Sequence, residues 1–320
     1  MKFRKLLFFA VLSFTFQVWA MDYPARPVRL VVSLAPGGTA DILGRLLGAK
    51  LSEKWGQQVL VDNKPGASGM IGAQEVAKAA PDGYTLLLGY NAEIAINQSL
   101  FKSVPYDAQK AFAPVTIVGT TPMILVVNPA VPAKTLADLL RLARDGKVHL
   151  TYGSAGAGST PHLGMELLKK HSGAQITHVP FRSAALAVPQ VIGNHVSMVF
   201  SGMPLAMPHV RSGALRGIAV SSQTRSPAAP DVPTVMESGF PEFDITNWFG
   251  LFAPAGTPEP IVQKLYRDVV AVVSSEDFKL RLKAEGGGTN PLSPKEFAQF
   301  IETEVRKYQL IIKQSGATAD

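Results

Sequence analysis

Residues 153–160 read GSAGAGST, between VHLTY and PHLGMELLKK. Gly153, Gly158 and Thr160 stand where a phosphate-binding loop, G-x-x-x-x-G-K-[ST], has its two glycines and its hydroxyl, but Ser159 occupies the lysine position. A polyphosphate site uses that lysine, together with a metal-holding hydroxyl, on the outer phosphates. The donors here are neutral: backbone amides and the hydroxyls of Ser154, Ser159 and Thr160. Such a set suits a carboxylate or a small oxyanion. A second segment of the same kind, SLAPGGTAD at 33–41, sets Gly37, Gly38 and Thr39 ahead of a helical pattern. Glycine lets the backbone turn and approach a ligand closely, and the helix behind it leaves its first N–H groups without internal partners. Ala40 and Ala155 complete the two loops as candidate contacts. Asp41 falls in the first helical turn, where a negative charge suits the helix dipole, so its main role is expected to be structural. Two such loops in one chain favour a ligand site over two unrelated tight turns.

Other candidates follow from position. Asn91 comes after YTLLLGY, at the carboxyl end of a strand, where ligands of open α/β sheets collect. Phe181 and Arg182 end the strand ITHVPF; they either stack on and pair with a ligand or serve as a core aromatic and a solvated cation. Ser201, after HVSMVF, has the same two readings. His162 is the histidine that adjoins a glycine loop and is expected to pack or hydrogen-bond locally. The chain has no G-x-S-x-G elbow, no H-E-x-x-H, and no G-x-G-x-x-G with its following acid. Its histidines show no metal spacing, and with no cysteine there is no disulfide, thiolate metal site or cysteine nucleophile. No catalytic residue, metal or cofactor is therefore expected. A hydrolase built from dispersed serine, histidine and aspartate is the weakest of the readings.

These residues need elements to hold them. With 320 residues, 47% of them hydrophobic, the chain can bury a core and is long enough for two lobes. Residues 1–20 carry Lys2, Arg4 and Lys5, an apolar run from Leu6 to Phe16, and Val18 and Ala20 at the −3 and −1 positions of a cleavage site. That is the order of a secretory signal peptide, with an apolar run short for a membrane span. Its removal takes away three cations and no acid, lowering the net charge from +7 to +4. No basic block remains to suggest nucleic acid as a partner. A soluble, exported protein is expected.

Strand VRLVVSL, a helix with Leu43, Leu47 and Leu51 at helical spacing, strand QQVLVDN, helix SGMIGAQEVAKAA and strand YTLLLGY open the chain. A second alternation runs from TLADLLRLARDG to LRGIAVSS, and the helix at 161–173 is expected to have Thr160 as N-cap and Pro161 at its first position. Residues 225–246 read as irregular. The tail is helical, with a capping box at Ser293 and Glu296. Extended runs near 118–127 and 247–252, the first interrupted by Pro122, read as two crossings between lobes. The expected fold is therefore α/β, a two-lobed clamp with a discontinuous lobe 1 (22–123 and 247–320) and an inserted lobe 2 (124–246).

The same residues carry a resemblance. The chain from about 23 to 316 resembles the Bug (TctC-like) family, periplasmic substrate-binding proteins of tripartite tricarboxylate transporters. The resemblance rests on YPARPVRLVVSLAPGGTAD, VDNKPGASGMIGAQEVAKAAPDGYTLLLG, VPYDAQKAFAPVTIVG, TYGSAGAGSTPHLGMELL, HVPF, DVPTVMESGFPEF and WFGLFAPAGTPEPIVQKL, in that order. It implies two lobes of the periplasmic binding protein type (type II-like) on a two-stranded hinge, closing on a ligand carboxylate. It places Gly37, Gly38, Thr39, Ser154, Gly156, Gly158, Ser159 and Thr160 around that carboxylate. It implies a ligand among di- and tricarboxylates, acidic amino acids or aromatic acids, a monomer, and a membrane transporter as partner. An orphan receptor that serves a sensor kinase is the alternative. The chain departs from the family's usual Tyr-Lys-Gly at Phe181, Arg182 and Ser183, from a frequent aspartate at Ser197, and from an acid or amide at Ser201. A pocket wall of its own is expected beyond the shared cradle.

Overall fold

The structure, a computed structural model, describes residues 23–284 and 286–319; the expected signal peptide lies outside the described residues. Apolar strands β1 (Val28–Val32), β2 (Val59–Asn63) and β3 (Thr85–Tyr90) pair in parallel in the order β2-β1-β3. β3 is extended by two antiparallel strands, β9 (Thr246–Pro254) and then β4 (Phe112–Val127). Helix α1 (Thr39–Trp55) buries Leu43, Leu47 and Leu51 and ends at Gly56, whose φ of 63° closes the last turn. α2 (Met70–Ala77) covers the same sheet, and α8 (Glu259–Val273) packs beside α1, where Trp55 Nε1 donates to Asp268 at 2.8 Å.

A second sheet is built from β5 (Leu150–Ser154), β6 (Ile176–Pro180), β7 (Met198–Gly202) and β8 (Arg216–Val220). Its helices are α4 (Leu136–Asp145), α5 (Thr160–Ser172), α6 (Ala184–Ile192) and α7 (Met203–Arg211). β5 runs parallel to β6 and β7, while β7 and β8 flank β4 in antiparallel fashion. β4 thus belongs to both sheets. Its residues 112–122 pair with β9, and 123–127 pair with β7 and β8. Pro122 lies at the change of partner, a place that tolerates a residue with no N–H for the ladder. The outcome is a two-lobed α/β clamp with two strand crossings.

The back of the hinge is held by α10 (Pro294–Ser315), which begins with the expected capping box. Its Phe297 packs flat on β9 because residue 250 is glycine; a Cβ there would stand 2.3 Å from the Phe297 ring. Trp248 Nε1 donates to Glu304 at 2.9 Å. The tail is completed by α9 (Glu276–Ala284).

Two local expectations change. Ser159, with extended φ and ψ of −68° and 153°, is the N-cap of α5, so Thr160 is already helical and Pro161 is second. Residues 92–100, given no element by the sequence, form a π turn followed by α3 (Asn97–Leu100). Residues 92–97 are all buried, so their polar and apolar members show no helical alternation for a sequence reader to find.

Candidate ligand cleft

A cavity of about 60 Å³ lies between the lobes against the front of the hinge. Four helices point their N-termini at it. The N-caps of α1, α5, α6 and α7 are Gly38, Ser159, Ser183 and Gly202; all four line the cavity, and none makes a side-chain capping bond. Uncapped first-turn amides carry partial positive charge and attract an anion. Among the described residues, no charged side chain lines this inner cavity. Its floor comes from the hinge. Asn247 and Phe249, two apart on β9, face the cavity, and Tyr90 stacks on Phe249 with ring centroids 6.3 Å apart. A second cavity of about 240 Å³ shares the walls Leu34 and Ala155 and adds Phe101, Phe181 and Arg182.

Each glycine loop is braced from behind by different chemistry. In the first, Gly37 (φ 80°) donates its N–H to Asp41 Oδ2 at 2.9 Å, and Arg45 pairs with the same carboxylate at 3.0 Å. Burial pushes the Asp41 pKa up, but Arg45 and the Gly37 amide outweigh it and hold the carboxyl below its usual value. In the second loop Ser154 Oγ lies 2.6 Å from His178 Nε2 and accepts from Gly156 N at 3.0 Å. Gly158 N donates to His162 Nδ1 at 3.1 Å, and the two imidazoles stack at 4.4 Å. Burial, then the neighbouring His178, pushes the His162 pKa down to about 4. It is therefore neutral at pH 7 and free to accept that bond.

The lobes meet at both loops. Ser68 Oγ, of the first lobe, donates to Ala157 O. A Cβ at Gly158 would come within 2.8 Å of Leu100 and 3.0 Å of Phe101, and one at Gly202 within 2.5 Å of Thr39 Oγ1.

Residues 43–317 match the model of the tripartite tricarboxylate transporter family receptor, TctC. The chain belongs to this family. Protein BugT of Bordetella pertussis is 35% identical over 312 residues, covering 97% of this chain and 96% of BugT. Among solved structures, that of Rpa4515 of R. palustris with adipate is 35% identical with a TM-score of 0.90, covering 93% of this chain and 99% of Rpa4515. MatC of Rhodopseudomonas palustris, with bound malate, is 32% identical with a TM-score of 0.85, covering 91% of this chain and all of MatC, 100%. The TctC/Bug proteins are periplasmic solute-binding proteins, and the fold is their two-lobed clamp with two hinge crossings.

Within this TctC-family clamp the residues picked out by sequence separate into three groups. Gly38, Thr39, Ala155 and Ser159 line the inner cavity. Ala155, Gly156, Phe181 and Arg182 line the outer one. The rest stand behind the walls. Gly37, Ala40 and Asp41 shape the first loop, while Ser154 and Gly158 shape the second. Thr160 is buried in the first turn of α5. Asn91 is fully engaged away from the cleft: Nδ2 donates to Tyr308 Oη at 2.8 Å and to Thr246 O at 3.1 Å, and Oδ1 accepts from Trp248 N at 2.9 Å. Ser201 is buried, with its hydroxyl 3.4 Å from Gly202 O. Ser197 exchanges hydrogen bonds with Thr151 between β5 and β7 and touches neither cavity.

Sequence reasoning missed Tyr90 and Asn247 as cleft residues, and it noted Ser183 only as a departure from the family's usual residue. Side chains alternate along an extended chain, so a one-residue shift moves a candidate from cleft to core. Tyr90, the last residue of β3, faces the cavity, whereas Asn91 already has helical φ and ψ of −45° and turns into the core. The usable signal at Ser183 was its place before the helical run AALAV, an N-cap type that turns out uncapped.

Proposed function

We propose that the protein captures a small carboxylated solute between its lobes in the periplasm and delivers it to a tripartite tricarboxylate-type transporter. The observation that carries this reading is the meeting of four uncapped helix N-termini on one cavity in whose wall no described residue is charged. Backbone amides aimed at a carboxylate make charge-assisted hydrogen bonds of about 1.5–3 kcal/mol each. A micromolar dissociation constant needs about 8 kcal/mol. Three or four such bonds, with lobe closure, are enough, and a neutral wall lets the ligand leave when the lobes part. The adipate and malate held by Rpa4515 and MatC support a carboxylate, and the signal-peptide order of residues 1–20 supports export. The change of β4 partners at 122–123 and the start of β9 at 246 support lobes divided at 123/124 and 246/247.

The test is a thermal-shift screen of carboxylates against their neutral amides. Ligand at 100 times its dissociation constant adds about 2.7 kcal/mol to stability. At least one carboxylate is expected to raise the melting temperature while its amide does not. Stabilisation by the amide to the same degree, or by nucleotides alone, overturns the reading.

A further inference from the structure

Directly behind the cleft wall of the first lobe lies a carboxyl with no counter-charge. Glu93, in the π turn after β3, is fully buried, and no cation among the described residues pairs with it. Its Oε1 accepts from Ser33 Oγ at 2.5 Å and from Tyr90 N at 3.0 Å. Ser33 leads straight into Leu34 and Ala35, and these two and Tyr90 line the inner cavity. Oε2 lies against the loop 66–69, which lines the outer cavity. A Cβ at Gly69 would stand 2.6 Å from Oε2 and 3.3 Å from Tyr90 Cε1, so ring, loop and carboxyl meet at one point. The same loop reaches the second lobe through the bond from Ser68 to Ala157 O. One side chain thus touches three pieces of the cleft wall.

An unpaired carboxylate in such a place is costly, and burial raises the Glu93 pKa to about 8, which leaves the group neutral at pH 7. With both donors on Oε1, the proton belongs on Oε2, which has no other partner in the protein. The titratable neighbours are phenols. Tyr106 Oη donates to Glu93 O at 3.0 Å, and burial, then Glu93, pushes the pKa of Tyr106 and of Tyr90 up. α10, packed on the same turn, brings Tyr308, bonded to Asn91, and Glu304, which is taken up by Trp248 and Lys307. At the rim of the first lobe Asp41 is paired with Arg45. The second lobe adds Arg182 in the outer cavity, and His162 behind its glycine loop is neutral above a pKa of about 4.

Tyr90 Oη has no partner in the protein and can donate to a carboxylate that enters the inner cavity. That carboxylate and Glu93 then stand on two sides of one ring, in a cleft where salt and water screen little. We propose that Glu93 is a positioning residue of the cleft and that only its protonated form supports a bound carboxylate, so that capture of the solute is coupled to one proton held at Glu93. This rests on the carboxylate reading above and deepens it. A bound anion makes Glu93 harder to ionise, so the filled protein holds the proton more tightly than the empty one. Affinity is therefore full below the Glu93 pKa of the empty protein, about 8, and falls as pH rises through it.

The experiment is isothermal titration of the purified protein between pH 6.5 and 9 with adipate, malate and benzoate, and with whichever acid gives the largest thermal shift; carboxylates are fully ionised across that range. Affinity is expected to be about tenfold weaker at pH 9 than at pH 7. Repeating the titration at pH 8 in buffers of different ionisation enthalpy should show about half a proton taken up per ligand bound. In Glu93→Gln, which keeps an acceptor for Ser33 and Tyr90 N but cannot ionise, the ratio of affinities at pH 7 and 9 falls to about twofold or less and the proton uptake disappears. A purely structural role would shift the melting temperature of this variant and leave the wild-type pH profile of affinity flat. Should Glu93→Gln fail to fold, the wild-type profile and proton count decide alone. A flat wild-type affinity, binding without proton uptake, or a decline that persists in folded Glu93→Gln overturns the proton coupling and leaves the carboxylate reading standing. If none of the acids binds at any pH, both fall.

Discussion

The two glycine loops have the same strand–glycine–helix layout and are built on opposite principles. PGGT is held by a charged brace, Asp41 with Arg45, at the edge of the first lobe. GSAGAGST is held by a neutral imidazole pair within the second lobe, and its Gly158 is pressed against Leu100 and Phe101 of the first. Both present helix N-termini to the same cavity. Gly37 and Gly158 serve the turn of their own loops and, at Gly158, the approach of the other lobe, while Gly38, Thr39, Ala155 and Ser159 stand in the inner cavity wall.

Exchange of Gly158 for Val is expected to have the largest effect. The residue has φ of 78°, and a Cβ would stand 2.8 Å from Leu100. A β-branched side chain there combines about 1–2 kcal/mol of backbone strain with overpacking of similar size, about 3 kcal/mol in all. Part of that penalty arises only when the lobes are closed, so ligand affinity is expected to fall about 30-fold, which corresponds to about 2 kcal/mol. Titration and melting of the same variant separate the two parts, and unchanged affinity would show that this contact takes no part in closure.

The two lobes should also separate by pH, through one buried group in each. His162 has its folded pKa lowered to about 4 from 6.5, so the folded state binds fewer protons than the unfolded state between those values. Its contribution is fully present above pH 6.5 and is lost as pH falls towards 4, about 3 kcal/mol in all. Chemical denaturation across that range measures the slope, and His162→Gln should flatten it; a slope that persists places the titration elsewhere.

In the first lobe the sign reverses. Glu93 is buried behind Tyr90, where its Oε1 accepts from Tyr90 N at 3.0 Å, and burial raises its pKa to about 8 from 4.5. Here the folded state holds the extra proton. Stability is fully present below pH 4.5 and is lost as pH rises to 8, with about 2 kcal/mol of the loss falling between pH 6.5 and 8. Glu93→Gln should remove that decline, and a wild-type protein equally stable at pH 6.5 and 8 would show that Glu93 is already ionised.

The smallest effect is expected at Gly38. Its φ of −86° and ψ of 172° are open to any residue, and the nearest atom to a Cβ there is 3.6 Å away. Gly38→Ala should therefore lower stability by about 0.5 kcal/mol, the cost of alanine at an N-cap. A loss as large as that at Gly158 would mean that both loops depend on their glycines in the same way.

Much of this clamp is legible in the amino-acid order. Strand alternation, helical spacing at Leu43, Leu47 and Leu51, the capping box at Ser293 and the proline at the β4 crossing are local patterns, and each corresponds to an observed element. Ser159, standing where a phosphate loop has its lysine, lies in the wall of the inner cavity. Asn91 shows where local reading stops. A polar residue at the end of a strand fits a ligand contact or a core brace equally, and its bonds to Tyr308, Thr246 and Trp248 lie 155 to 217 residues away in the chain.

The sequence by itself determined most of the elements, the two glycine turns and the neutral side chains within them, because these depend on neighbours a few residues apart. Tertiary structure alone decided that Ser183 and Gly202 bring two further helix ends to the same cavity, and that Tyr90 and Asn247, rather than Asn91, face it. The reason is that those choices depend on strand register and on which lobe surfaces meet, relations between distant segments that no local pattern encodes.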